Sequence, residues 1–136
     1  MKSTITIAPL VALALLTGCA TNPCSPLYNE LTELDRFMQE PGYARQHIRY
    51  PLRYTEIKDG EVRLDTELDE AEALQRHAAI QQGRALTQYH QRIAVPIREG
   101  DSYVIRAGPA GQPATDIYRF EPGLCEVTLV EYRRYL

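Results

Sequence analysis

The feature that most constrains what this chain can fold into is an apolar run, Ile5-Thr6-Ile7-Ala8-Pro9-Leu10-Val11-Ala12-Leu13-Ala14-Leu15-Leu16. It stands after Lys2 and is followed at once by Thr17-Gly18-Cys19. A positive start, a short apolar stretch and small residues before a processing point are the layout of a secretory signal. Crossing a bilayer core of ~30 Å asks for roughly 20 apolar residues, and no basic stop-transfer cluster follows the run. The run is therefore expected to be cleaved, and the folding problem begins after residue 18.

Leu16-Thr17-Gly18-Cys19 resembles the lipobox of bacterial lipoproteins, in which the cysteine is acylated and becomes the mature N-terminus. The resemblance implies a signal peptide over 1–18, lipid of the palmitate kind on Cys19, and a lipidated tether over 19–25. Each buried methylene contributes ~0.8 kcal/mol and a stable anchor takes more than one chain; the polar Thr21-Asn22-Pro23 stretch suits a link between such chains and a domain in water. Ala20 follows the cysteine, not the aspartate associated with inner-membrane retention in Gram-negative bacteria. The location implied is the cell envelope, at the outer membrane and facing the periplasm. A plainer alternative stays open, namely an unmodified cysteine after an ordinary signal peptidase site.

Lipid on Cys19 would leave Cys24 and Cys125 as an even pair in an oxidising compartment, so a disulfide between them is the expected state. Closing so long a loop is worth ~4–5 kcal/mol in the chain-entropy account. A catalytic or metal-binding thiol is disfavoured, since neither a Cys-x-x-Cys nor a histidine at ligand spacing lies nearby.

Removing 18 residues from 136 leaves 118, room for one core and too little for two, so 26–136 is expected to be a single domain. The formal charge of −3 becomes −4 when Lys2 leaves. No basic face emerges, which argues against nucleic acid as a partner. Glu61, Asp65, Glu67, Asp69, Glu70 and Glu72 bunch together; a solvated face with helix N-terminal charges explains them better than a docking surface for a cationic partner.

Along the chain, Ser25-Pro26 reads as an N-cap and first helical residue, opening a helix from Pro26 to about Gln39. Leu27, Leu31, Leu34 and Met38 form its core-facing stripe, with Phe37 beside it. Pro41-Gly42 interrupts, Tyr43–Ile48 makes a short further turn, and Pro51 pushes Tyr50 into extended geometry. Tyr50–Ile57 and Glu61–Asp65 pair as a hairpin about Asp59-Gly60. Asp69 caps a second helix through about Gln82, with Ala71, Leu74, Ala78 and Ala79 on one side and Gly83 closing it. Ile93–Ile97 is a strand whose Pro96 belongs at an edge or bulge, and Tyr103–Arg106 returns after a turn. Ile117–Phe120 pairs with Leu124–Tyr132 across Glu121-Pro122-Gly123, where proline and glycine suit a type II turn.

Helices followed by a long meander make an α+β order. The segment Phe37-Met38-Gln39-Glu40-Pro41-Gly42-Tyr43-Ala44-Arg45-Gln46-His47-Ile48-Arg49-Tyr50-Pro51-Leu52 is similar to a helix-then-"arginine, hydrophobic, aromatic, Pro-Leu" stretch in small exported domains of the nuclear transport factor two-like superfamily. The resemblance implies N-terminal helices packed on a curved antiparallel sheet, cone-like, with a pocket. That superfamily houses enzymes, binding domains and scaffolds, so the fold would not fix a function.

Chemistry-bearing motifs are sparse. His47, His77 and His90 are the only histidines and no two are three or four apart, which excludes a helical metal pair; zinc held by side chains distant in sequence stays open, and no metal or cofactor is expected. Neither Ser25 nor Ser102 lies in a Gly-x-Ser-x-Gly elbow, and no phosphate-cradling glycine loop is present. A cone pocket would gather His47, Tyr50, Tyr54, Asp65 and Arg106, with His47 and an acid such as Asp65 as the acid/base candidates. A packed or half-exposed His47 is the blander reading and the favoured one. The nine tyrosines, several beside arginine, suit an interface but are also ordinary strand residues. The leading expectation is a non-enzymatic envelope domain that binds a protein, peptide or small ligand. Two alternatives stand beside it: a periplasmic inhibitor or immunity protein against a hydrolase or toxin, and a small pocket enzyme using His47.

Overall fold

The computed structural model describes residues 24–136. The signal segment, Cys19 and the Thr21-Asn22-Pro23 tether lie outside the described residues.

The first helix, α1 (Glu30–Gln39), starts four residues later than the Ser25-Pro26 signal indicates, because Asn29 is the cap: its side chain accepts from the Leu31 and Thr32 amides. Ser25 instead closes a turn, its carbonyl accepting from the Tyr28 N–H at 2.8 Å. The apolar stripe is shorter in consequence. Leu34, Phe37 and Met38 are buried, whereas Leu27 and Leu31 face solvent. A single turn, α2 (Tyr43–Gln46), leads into β1 (Ile48–Lys58), and the Tyr50–Pro51 peptide is cis.

β1 pairs with β2 (Glu61–Leu68) through a two-residue loop, Asp59-Gly60, in which both residues have positive φ, as the tight hairpin turn demands. α3 (Glu70–Arg76) carries a full capping box, Asp69 and Glu72 each holding the other's backbone N–H. The single helix expected through Gln82 is broken. His77 is extended at φ −131°, ψ 93°, and a separate turn, α4 (Ala78–Gln81), follows, then α5 (Leu86–Tyr89). With the break, the buried set becomes Ala73, Leu74, Ala79 and Ile80, while Ala71 and Ala78 are exposed.

Pro96 stands between two short edge segments, β3 (Arg92–Ile93) and β4 (Ile97–Glu99), both paired with β5 (Ser102–Gly108). The remaining strands are β6 (Asp116–Pro122) and β7 (Val127–Tyr135). The expected Pro122-Gly123 turn sits later in the chain: β6 runs through Pro122, and Gly123 N–H donates to the Glu126 carbonyl at 2.7 Å. Sheet order is β2-β1-β7-β6-β5-β3, antiparallel except where β1 meets β7 in parallel.

One irregularity sets up the interior. β6 and β7 keep register from Asp116↔Arg134 to Arg119↔Glu131, then skip Val130 so that Phe120 faces Leu129. A bulge of this kind reverses which residues face inward. Val127 and Leu129 are buried below it and Tyr132 above it. The sheet curves around α1, α4 and α5, whose buried side chains join Leu52, Tyr54, Ile105, Tyr118 and Phe120 in one core. Cys24 and Cys125 are bonded, tying the segment before α1 to the loop between β6 and β7.

Candidate functional site

The five residues nominated from sequence do not share a cavity. His47 lines a surface groove of about 670 Å³ beside the disulfide, its ring stacked on Tyr43 at 3.8 Å and its Nδ1 2.8 Å from the Tyr43 carbonyl. Asp65 is exposed on β2 beside Arg53 and Thr55. Arg106 borders a separate polar recess with Glu99, Arg119 and Glu131. Tyr50 packs on the core with its hydroxyl buried and unpartnered. Tyr54 alone enters the interior, donating to Glu56 at 2.6 Å with its ring 5.5 Å from that of Tyr132.

A different set is assembled at the other end of the β6–β7 hairpin. The break at His77 turns its ring inward, so that its Nε2 lies 2.5 Å from the Tyr118 hydroxyl. His90, the C-cap of α5, places its own Nε2 2.7 Å from the same oxygen. Asp116 opens β6, and alternation along that strand sets Asp116, Tyr118 and Phe120 on one face. Its carboxylate accepts from the Tyr132 hydroxyl and, at 2.8 Å, from Thr115 Oγ1. The Tyr132 bond falls on Oδ1 and the Thr115 bond on Oδ2, and Oδ2 also lies 4.0 Å from His90 Nδ1. The rings of Tyr118 and Tyr132 stack at 5.2 Å.

A phenol has one hydrogen and cannot donate to both imidazoles. One ring therefore accepts the Tyr118 O–H while the other donates to its oxygen, and His90 Nδ1, 4.0 Å from the Asp116 carboxylate, stands beyond hydrogen-bond reach of it. His77 Nδ1 is buried with no hydrogen-bond partner. The outcome is a buried cluster in which the Tyr118 hydroxyl joins His77 to His90, with Asp116 alongside.

Burial governs the protonation of this cluster. It lowers His77 to about 4, the Asp116 charge opposing only in part, and it lowers His90 for the same reason. Tyr118 is raised well above the ordinary phenol range by burial, then by Tyr132 and Asp116, and Tyr132 is raised by burial and by its carboxylate neighbour. Both imidazoles are therefore neutral near pH 7 and both phenols keep their protons.

Among the described residues, the cluster reaches solvent at one end. His90 and Asp116 border a cleft of about 500 Å³ whose walls include Tyr89, Gln91, Arg134 and Thr115. Gly108 completes it, since a Cβ there would meet Thr115 N at 2.9 Å. His77, Asp116 and Tyr132 carry no motif that sequence reasoning could single out: a helix break, a strand start and a bulge create their convergence. The period-two spacing of Asp116 and Tyr118 was the one legible signal.

No protein-family model and no curated protein matches the chain. Among solved structures, the fold is similar to an NTF2-like protein from Bacteroides fragilis, with a TM-score of 0.51 at 14% identity, over 81% of this chain and 48% of that one. The chain thus spans about half the length of that protein. The likeness shows the fold, an α+β cone of the nuclear transport factor two-like type, and leaves the site to be argued from its own residues.

Proposed function

We propose that this chain is a lipid-anchored envelope protein whose cone binds a small polar ligand in the cleft bounded by His90, Asp116 and Arg134. The observation that carries the reading is the buried cluster of His77, Tyr118, His90 and Asp116, which among the described residues meets the cleft at His90 and Asp116. Polar groups removed from water are often replaceable by apolar ones without loss of stability, so a four-membered polar cluster ending at a concave opening favours a binding role over mere packing. The ligand it suits offers both a donor and an acceptor, because the rim presents a carboxylate, a guanidinium and the Gln91 amide together. The larger groove at His47 is a weaker candidate: its Glu33, Arg36 and Tyr43 already satisfy one another.

The anchor reading rests on Leu16-Thr17-Gly18-Cys19 and gains an orientation from the disulfide. Cys125 lies beyond Pro122, whereas the cleft lies at Asp116, the other end of the same seven-residue strand. At about 3.3 Å per residue the two are roughly 20 Å apart. A domain stapled near the membrane at Cys24 would present its cleft away from the bilayer.

The test is ligand screening with ¹⁵N-labelled 24–136 in EDTA, using a library of small amino acids, hydroxy acids and amines. Shift changes are expected at Tyr89, His90, Gln91 and Asp116 and are expected to vanish in Arg134→Ala. Hits that map instead to Tyr43, His47 and Glu126 would move the site to the opposite end. For the anchor, globomycin-sensitive processing and loss of membrane fractionation in Cys19→Ser are the expected results.

A further inference from the structure

We propose that His77, His90 and Asp116 form a binding site for a divalent transition-metal ion of the zinc class at the base of the cleft. The inference rests on the cleft being the working end of the cone and names a specific occupant for it.

The donor geometry comes first. One ring nitrogen of each histidine and one carboxylate oxygen of Asp116 lie within 4.8 Å of one another, and this is the only such group among the described residues. Ligands about 2.0–2.2 Å from one ion stand roughly 3–3.5 Å apart in a tetrahedron, so sub-ångström to ångström side-chain shifts would close the group around an ion. The three donors arrive from three separate elements, a helix break, a helix C-cap and a strand start. Two nitrogens and one oxygen suit zinc and its first-row neighbours, not calcium or magnesium, which take oxygen.

Two independent observations point the same way. His77 is 2% exposed, yet its Nδ1 has no hydrogen-bond partner, so a buried imidazole of the cluster keeps a ring nitrogen that the fold does not use. The carboxylate, in turn, is oriented by the Thr115 and Tyr132 hydroxyls, which is the outer support that metal-ligating carboxylates receive. Tyr118 Oη, 2.5 and 2.7 Å from the two rings, is a further oxygen within reach. A fourth position would face the cleft, where His90 and Asp116 meet solvent. Arg134 beside the carboxylate offsets part of its charge, favouring an ion that binds through nitrogen over one that relies on negative charge.

The experiment is titration of metal-stripped 24–136 with Zn²⁺ alone and with Co²⁺ alone. One ion per chain is expected, with visible Co²⁺ bands of a low-coordinate N/O site. Asp116→Asn and His90→Gln are each expected to weaken binding at least 100-fold, Tyr132→Phe about 10-fold through the lost support, and His47→Gln not at all. Because the core variants could fail to fold, the native chain supplies a second readout: in long-range ¹H–¹⁵N spectra, Zn²⁺ is expected to shift one ring nitrogen of His77 and one of His90 while His47 stays unchanged. Absence of 1:1 binding below 1 mM, a ring shift confined to His47, or native affinity in both Asp116→Asn and His90→Gln would overturn the proposal. The ligand screen in EDTA is unaffected by that result, so the metal site and the cleft reading fail separately.

Discussion

The two ends of the β6–β7 hairpin solve the same problem by different means. At the Cys125 end, the chain is held by a covalent bond and by charged pairs in water, such as Arg49 with Glu121 at 2.7 Å, each about half exposed. At the Asp116 end, no bond crosses the sheet covalently, and uncharged imidazoles and phenols join one carboxylate away from water. An exposed polar group needs no special placement, whereas a buried one must find its partners or destabilise the fold. The Asp116 end is therefore the one where residue identity is under the tighter chemical constraint, and the Cys125 end is where strength comes from connectivity.

The largest effect expected from breaking this contrast is at the disulfide. It closes a loop across a sequence separation of 101, so Cys24→Ser with Cys125→Ser should lower unfolding stability by ~4–5 kcal/mol, read by urea unfolding of native and double-mutant chains. Chemical shifts at His90 and Asp116 should hardly move, because the bond acts on the unfolded chain and lies at the far end. A loss confined to the cleft shifts would mean that the two ends are mechanically coupled.

Alkaline pH should act on the opposite set. Burial, then the hydrogen bond to Glu56, pushes Tyr54 up to about 12 from 10.0. The folded chain keeps a proton that the unfolded chain releases, so this contribution is fully present below pH 10 and is lost as pH rises from 10 toward 12. At about 1.4 kcal/mol per pH unit, Tyr54 alone would remove roughly 3 kcal/mol. Tyr118 and Tyr132 move the same way. Urea midpoints between pH 9 and 12, with tyrosinate absorbance recorded alongside, give the check; buried phenols ionising before unfolding would break the account.

A paired substitution sharpens the comparison at single-atom scale. Tyr118→Phe leaves two buried imidazole nitrogens without their shared oxygen and should cost about 2 kcal/mol, within the range of 1–3 for unsatisfied buried groups. Tyr43→Phe removes a hydroxyl from the partly buried Glu33 at the disulfide end, and less than about 1 kcal/mol is expected there. Equal losses in thermal unfolding would erase the distinction between the ends.

Much of the fold was legible because local chemistry decides it. Asp59-Gly60 fixed a hairpin, Asp69 with Glu72 fixed a helix start, and Pro96 marked an edge. Other features were not legible. Asn29 outcompeted Ser25 as a cap, which is a choice between two good caps. His77 broke a helix whose flanks both have helical pattern, where a tertiary contact to Tyr118 outweighs propensity. Val130 was bulged out, flipping the inward set from Leu129 to Tyr132. The last two create the polar cluster, which is why the nominated residues scattered while His77, His90 and Asp116 converged. The parallel meeting of β1 with β7 likewise depends on the whole chain and carries no local mark.

The smallest effect separates connectivity from charge at the disulfide end. Arg49 reaches from β1 to Glu121 on β6 and, at 3.3 Å, to Thr128 on β7, so by geometry it clamps three strands. Its guanidinium is nonetheless half in water, where an ion pair exchanges hydration for a similar attraction and must also immobilise a long side chain. Arg49→Ala should therefore lower stability by no more than about 0.5–1 kcal/mol, and the difference should shrink in 1 M salt, where screening acts over about 3 Å. Measured in the disulfide-free background the loss should be unchanged, because bond and ion pair act on different states of the chain. A loss that grows once the disulfide is gone would show that the ion pair and the covalent staple share one task, and that the Cys125 end is cooperative after all.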